Sequence, residues 1–129
     1  MKEQQTLGQL ELEALKIVWD KPGSSVNEIT ETLLQHRDLA RTTVLTIVQR
    51  LHKKGFLTRK KKDGAFRYFP TDSRESVMGG LTKRFIENAF DGSASSLVQH
   101  LAQTKLSAEE LTQMRSIIDQ AMNDGEAKS

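Results

Sequence analysis

Val44, Ile47, Val48 and Leu51 recur at i, i+3, i+4 and i+7, and the pattern is cut off at Gly55. That spacing commits the stretch after Ala40 to an amphipathic helix with one buried stripe. The opposite side collects Thr42, Thr46, Gln49, Arg50 and Lys53, with Thr43 at its edge. It carries no acid, several short hydrogen-bonding side chains and a cationic end, where the helix dipole favours positive charge. Gly55 suits the left-handed conformation that stops a helix. About 14 residues at 1.5 Å rise make a rod of roughly 21 Å, long enough to lie in a DNA major groove. Threonine and glutamine can touch base edges there, and arginine can fork onto guanine. A plain solvated face is the other reading of such a helix, and the flanking residues decide between the two.

Upstream, Leu12, Leu15, Val18 and Trp19 share one side of a helix over about Gln9 to Asp20, widened by Leu10, Ala14 and Ile17. Trp19 reads as a core anchor, and Lys21-Pro22-Gly23 ends the helix. Ser25-Val26-Asn27-Glu28 is a capping box: the serine hydroxyl accepts an amide hydrogen bond and Glu28 reaches back. Ile29 and Leu33, with Val26 and Leu34, give the second helix its buried side. A polar link from Gln35 to about Leu39 leads into the basic helix. The start of that helix is weakly marked, since Ala40 is a poor cap and Asp38 the alternative. Three short helices, the last amphipathic and basic, form a helix-turn-helix arrangement.

After Gly55 the period changes. Residues 56–61 and 65–69 flank Lys62-Asp63-Gly64, and Asp-Gly is a strong hairpin-turn signal. Phe66 and Tyr68 share one face of the second strand, and Pro70 closes it. Residues 53–67 hold seven basic side chains (Lys53, Lys54, Arg59, Lys60, Lys61, Lys62, Arg67) against one acid, Asp63. A lysine run can simply block edge pairing. Charges this dense repel one another, however, and placed behind a basic amphipathic helix they suit a polyanion that neutralises them. Helix-turn-helix plus basic hairpin is a winged helix.

Charge is unevenly spread. Residues 1–74 hold 14 Lys/Arg against 9 Asp/Glu, net +5, and residues 75–129 hold 5 against 8, net −3. A basic front and an acidic back fit a nucleic-acid module joined to something else. There is no cysteine, so disulfides and thiolate metal sites are excluded. His36, His52 and His100 are scattered with no partner at ligand or triad spacing, so neither a catalytic nor a metal site is expected, and no cofactor. Met1–Gln5 is polar, without the apolar core of a secretion signal, and no run approaches the roughly 18 apolar residues of a membrane span. The expected setting is cytoplasmic, with no membrane partner.

The rest of the chain reads as helical. A helix from about Ser73 to Phe90 carries Val77, Leu81, Phe85 and Ile86, with Gly79-Gly80 inside it, which fits either a close partner backbone or a flexible break. Ser93 caps a short helix bearing Leu97, Val98 and Leu101. Ser107 and Glu110 form a second capping box, and Leu106 and Leu111 a hydrophobic staple. Leu111, Met114, Ile118 and Met122 stripe the last helix, and the tail is expected to fray from Asn123. A segment this small cannot bury three wide apolar faces well on its own. Pairing with a second copy through Val77, Leu81, Phe85, Leu97, Leu101, Leu111, Met114 and Ile118 is expected, the alternative being helices folded back on their own front half. The expected class is mainly α with a small β-hairpin. Residues 1–72 form a winged-helix DNA-binding domain and residues 73–129 a helical dimerisation domain.

Several pieces, in this order and spacing, resemble the penicillinase and methicillin-resistance repressors of bacteria and their copper-responsive relatives. Residues 12–19, with the tryptophan, resemble the first helix of that family, and Val26-Asn27-Glu28-Ile29 its second. Thr42-Thr43-Val44, Thr46, Arg50-Leu51 and Lys53-Lys54-Gly55 resemble the recognition helix. Gly64 and Tyr68-Phe69-Pro70 resemble the wing, and Phe90-Asp91-Gly92-Ser93 with residues 106–111 the dimerisation region. The resemblance implies a homodimeric winged-helix repressor on a palindromic operator, with Thr42, Thr43, Thr46 and Arg50 facing DNA. Arg41 departs from the aromatic or proline often found there and is expected on a phosphate. Copper sensing through C-terminal cysteines is ruled out by their absence. Resistance members are inactivated when a membrane sensor triggers proteolysis in the dimerisation region. The matching stretch is Val98-Gln99-His100-Leu101, with His100-Leu101 in place of the typical Asn-Phe pair. A sensor-triggered protease is thus an implied partner.

The expected function is sequence-specific repression of transcription on double-stranded DNA. Candidate contacts are Arg41, Thr42, Thr43, Thr46, Gln49, Arg50 and Lys53 on the helix, and Lys61, Lys62 and Arg67 on the hairpin. The alternatives are a small-molecule-sensing winged-helix regulator and a winged helix used for protein–protein contacts. The second would not need so basic a hairpin, and its binding would not vary steeply with salt.

Overall fold

The computed structural model describes residues 6–128. Its elements run α1 (Gln9–Asp20), α2 (Val26–Leu34), α3 (Arg41–Lys53), β1 (Leu57–Lys62), β2 (Ala65–Pro70), α4 (Arg74–Phe90), α5 (Ala94–Gln103) and α6 (Ala108–Lys128). The polar start Met1–Gln5 lies outside the described residues. Among the described residues, no helix is long and apolar enough to cross a membrane. The chain divides into two units, one up to Thr82 and one from Lys83. The boundary expected after residue 72 precedes α4, whereas this division falls inside that helix.

In the first unit, the stripe of α3 goes where its spacing sends it. Val44, Ile47, Val48 and Leu51 are buried with Ala14, Leu15 and Val18 of α1, Ile29 and Leu33 of α2, and Phe56, Leu57 and Tyr68 of the hairpin. Trp19 lies at the margin of this core and donates its indole N–H to the Asp72 carbonyl at 3.2 Å, fastening α1 to the segment after β2. Val77, expected at a dimer interface, packs against the same core.

The caps follow the chemistry of their sequences. The Ser25 hydroxyl accepts from the Glu28 amide at 3.2 Å while the Ser25 amide donates to Glu28 Oε1 at 3.0 Å, closing the capping box on α2. α3 starts at Ala40 without any side-chain cap, so Asp38 does not serve as one. At the other end Gly55 sits at φ +89°, with Gly55 N–H on the His52 carbonyl at 3.1 Å and Phe56 N–H on the Leu51 carbonyl at 2.9 Å. This is the glycine-closed helix end in which the following residue packs back on the last turn, and Phe56 and Leu51 are both buried.

β1 and β2 pair antiparallel with Lys62 opposite Ala65 and Leu57 opposite Pro70. Asp63 and Gly64 both have positive φ, 53° and 80°, as a two-residue turn matched to strand twist requires. Tyr68 is buried, but Phe66, two residues nearer the turn on the same face, is exposed because the hairpin has run past the edge of the core there.

In the second unit, Ser93 accepts from the Ser96 amide at 3.2 Å and Ser107 from the Glu110 amide at 3.0 Å, so both expected helix starts are capped. α6 does not fray at Asn123 but continues to Lys128. Gly79 and Gly80 lie within α4 but before the division, in the first unit, and a Cβ at either would meet nothing within 4 Å. No described residue from Lys83 onward is buried.

Leu51→Ala empties a fully buried site in the first unit. It should cost that unit about 2–5 kcal/mol, seen as a lower denaturant midpoint by Trp19 fluorescence at unchanged slope.

Candidate nucleic-acid interface

The buried stripe of α3 leaves Arg41, Thr42, Thr43, Thr46, Gln49, Arg50 and Lys53 exposed. All seven expected helix contacts therefore lie on the solvent side, and no acid lies among them. Thr46 Oγ1 donates to the Thr42 carbonyl at 3.0 Å, so its hydroxyl keeps lone pairs to accept a bond and a methyl to pack. Thr43, Thr46 and Arg50 line a groove of about 420 Å³ between α3 and the start of α1, with Gly8, Gln9, Leu10, Glu11 and Ile47 on its other walls.

Glu11 explains why Lys54 is not part of that exposed charge. Lys54 Nζ donates to both Glu11 oxygens at 2.9 Å and to the Thr6 carbonyl at 3.0 Å, while the Gly8 amide donates to Glu11 Oε1 at 2.8 Å. Burial by itself would raise the Glu11 carboxyl. The bonds from Gly8 and Lys54, with the nearby Arg50 charge, outweigh it and hold the group below its ordinary value.

On the hairpin, Lys61 and Lys62 are exposed as expected. Arg59 lies 4.0 Å over the Phe66 ring and Lys61 6.0 Å from it, while Lys60 lies 5.7 Å over Phe69. These rings carry cations on their faces, which stiffens the long side chains without neutralising them. Arg67 has a different place. It donates to Glu28 Oε1 at 2.6 Å and to the Gly23 carbonyl at 3.4 Å. With the backbone pair Gly23 N–H to Tyr68 and Tyr68 N–H to Ser24, at 2.8 and 2.9 Å, it fastens β2 to the turn before α2. The pairing of Arg59 with Phe66 is not among the expected contacts; Arg59 stands opposite Tyr68, so Phe66 is its diagonal neighbour across the hairpin, a relation the strand register makes legible.

Glu28 is the junction of this arrangement. Its Oε2 accepts from Lys21 at 2.7 Å, and its Oε1 accepts from both Ser25 and Arg67. The Lys21 ammonium first, and the Ser25 amide next, lower its pKa from 4.5 to about 2. The histidines do not gather: His52 meets Tyr68 edge-on at 6.5 Å and His100 meets Phe90 at 5.3 Å.

The second unit presents apolar side chains to solvent. Phe85, Val98, Leu101, Leu111, Ile117, Ile118 and Met122 are all exposed, with Ile117 at 68% and Met122 at 61%. Leu97 and Met114 are half-buried. Large apolar side chains left in water on one small helical unit are candidates for an interaction surface.

A sequence profile of penicillinase repressors matches residues 7–120. The chain is 33% identical over 110 residues to the methicillin resistance regulatory protein MecI of Mammaliicoccus sciuri, covering 84% of this chain and 89% of that one. It is 33% identical over 111 residues to the transcriptional regulator BlaI of Mycobacterium tuberculosis, covering 84% and 80% respectively. Among solved structures, the DNA-binding domain of the repressor BlaI matches at a TM-score of 0.50 and 28% identity, over 57% of this chain and 88% of that domain.

Since the folded pKa of Glu28 lies below its unfolded value, its stabilisation is present in full above about pH 4.5 and is lost as pH falls through about 2. Glu28→Gln should remove that part of the acid dependence of the first unit, measured by denaturation across that window.

Proposed function

We propose a two-copy grip on operator DNA for this chain, which belongs to the penicillinase repressor family and is a DNA-binding transcriptional repressor rather than an enzyme. In this reading α3 lies in the major groove. Thr42, Thr43, Thr46, Gln49 and Arg50 meet base edges, and Arg41 and Lys53 meet phosphates at either end. Lys61 and Lys62 reach the backbone from the hairpin, and Arg67, tied to Glu28, steadies it. The observation that carries the reading is the outer face of α3, a continuous acid-free surface whose opposite side is buried.

The exposed apolar residues of the second unit support a homodimer, joined through Phe85, Leu101, Leu111 and Ile118 with the half-buried Leu97 and Met114, and through the half-buried Leu81 at the end of the first unit. A twofold pair asks for two half-sites related by a palindrome, one or more helical turns apart. Cleavage within Val98-Gln99-His100-Leu101 would sever α6 from the DNA-binding part and cost the affinity gained from two linked half-sites. That stretch lies within α5, so a sensor-triggered protease would have to unwind the helix before cutting it.

Arg50→Ala should weaken operator binding by about 1–3 kcal/mol and relax selectivity at one base pair per half-site. Unchanged affinity and selectivity would remove it from the base-reading set. Lys61→Ala or Lys62→Ala should weaken all duplexes alike and flatten the salt slope by about one unit per lost phosphate contact. Ile118→Glu should give monomers in sedimentation at concentrations where the parent protein is paired; a persistent dimer would reject the interface.

A further inference from the structure

Among the described residues of the first unit, two large apolar side chains are left exposed, Leu45 at 40% and Phe66 at 39%. Phe66 carries Arg59 on its ring face. Leu45 has no such employment: it is not part of the buried stripe of α3, nor among the partly buried residues packed against the core. At 100° per residue it stands on the outer face of α3, one turn from Arg41 on one side and from Gln49 on the other. Helix propensity does not account for it, since lysine, glutamine or glutamate would serve as well at an exposed position.

We infer that Leu45 is a base-reading residue that recognises the 5-methyl group of a thymine in the operator. This rests on α3 lying in the major groove. Leucine has neither donor nor acceptor, so it cannot read the hydrogen-bonding edge of a base. The apolar group that unmodified DNA offers in the major groove is the thymine methyl. The contact also discriminates by exclusion, because guanine at that place would have its N7 and O6 acceptors covered by a side chain that gives them no partner. Helix side chains lean toward the N-terminus, so Leu45 covers the surface beside Arg41 and Thr42. Five residues separate it from Arg50, roughly 7.5 Å along the axis or about two base-pair steps. The thymine is therefore a different position from the base that Arg50 reads.

The test begins with duplexes selected from a random pool by the full-length protein. Each operator thymine is then replaced singly by uracil, which pairs identically and lacks the methyl. One thymine per half-site should lose about fourfold in affinity, the worth of one buried methyl group, and that loss should vanish with Leu45→Ala. Leu45→Gln should shift the preferred base at the same position from thymine toward adenine. Uracil tolerated at every position, or penalised equally in parent and Leu45→Ala, overturns the inference. If Arg50→Ala still alters selectivity in that case, the groove reading survives without it. Selection that returns no shared sequence would overturn both.

Discussion

Burial of Val44, Ile47, Val48 and Leu51 is what aims the rest of α3 outward. A helix cannot rotate one face without rotating all of them, so four anchored side chains fix the bearing of every exposed one. Each is worth about 1.5–3 kcal/mol of burial, and α1, α2 and the start of the hairpin all share in it. Turning α3 enough to hide Gln49 or Arg50 would expose this stripe. The surface proposed to meet DNA is in this sense a by-product of the core, and it is stiff for the same reason.

Two carboxylates complete the arrangement by tying down cations from other parts of the first unit. Glu11 holds Lys54, and Glu28 holds Lys21 and Arg67. Each acid also bonds the backbone amide at the start of its own helix, so the same group caps a helix and ties down a distant cation. What stays unpaired by these acids is the outer charge of α3 and of β1. Arg59, Lys60 and Lys61 are steadied instead by aromatic faces, which leave their charge available to an anion. The winged helix thus sorts its basic residues into those that hold the fold and those that remain on offer.

That sorting is where the sequence is hardest to read. Helix periods, the Ser25–Glu28 box and the Asp63-Gly64 turn are local, set by residues within a few positions of one another, and the structure places them as the pattern predicts. The Glu11–Lys54 and Glu28–Arg67 pairs span 43 and 39 residues, and no local pattern announces them. Lys54 and Arg67 therefore look in the sequence like their exposed neighbours. The start of α3 was weakly marked because nothing with a capping side chain stands there, and Ala40 indeed caps nothing. Val77 fits the apolar stripe of its own helix, and that periodicity could not tell which body it packs against. The last helix outruns its apolar pattern, with Asn123 and Gly125 inside it and not past its end.

The second unit has capped helices but no buried residue among those described, and this bears on how the protein behaves when scarce. On the proposed pairing, the two copies share a core that neither possesses separately. Its stability then rises with the number of chains in the cell, by mass action. Newly made chains below that threshold would keep greasy helices in water, where proteases and chaperones find them first. Supply and durability become one quantity, so the repressor would thin out faster than simple dilution once its synthesis slows.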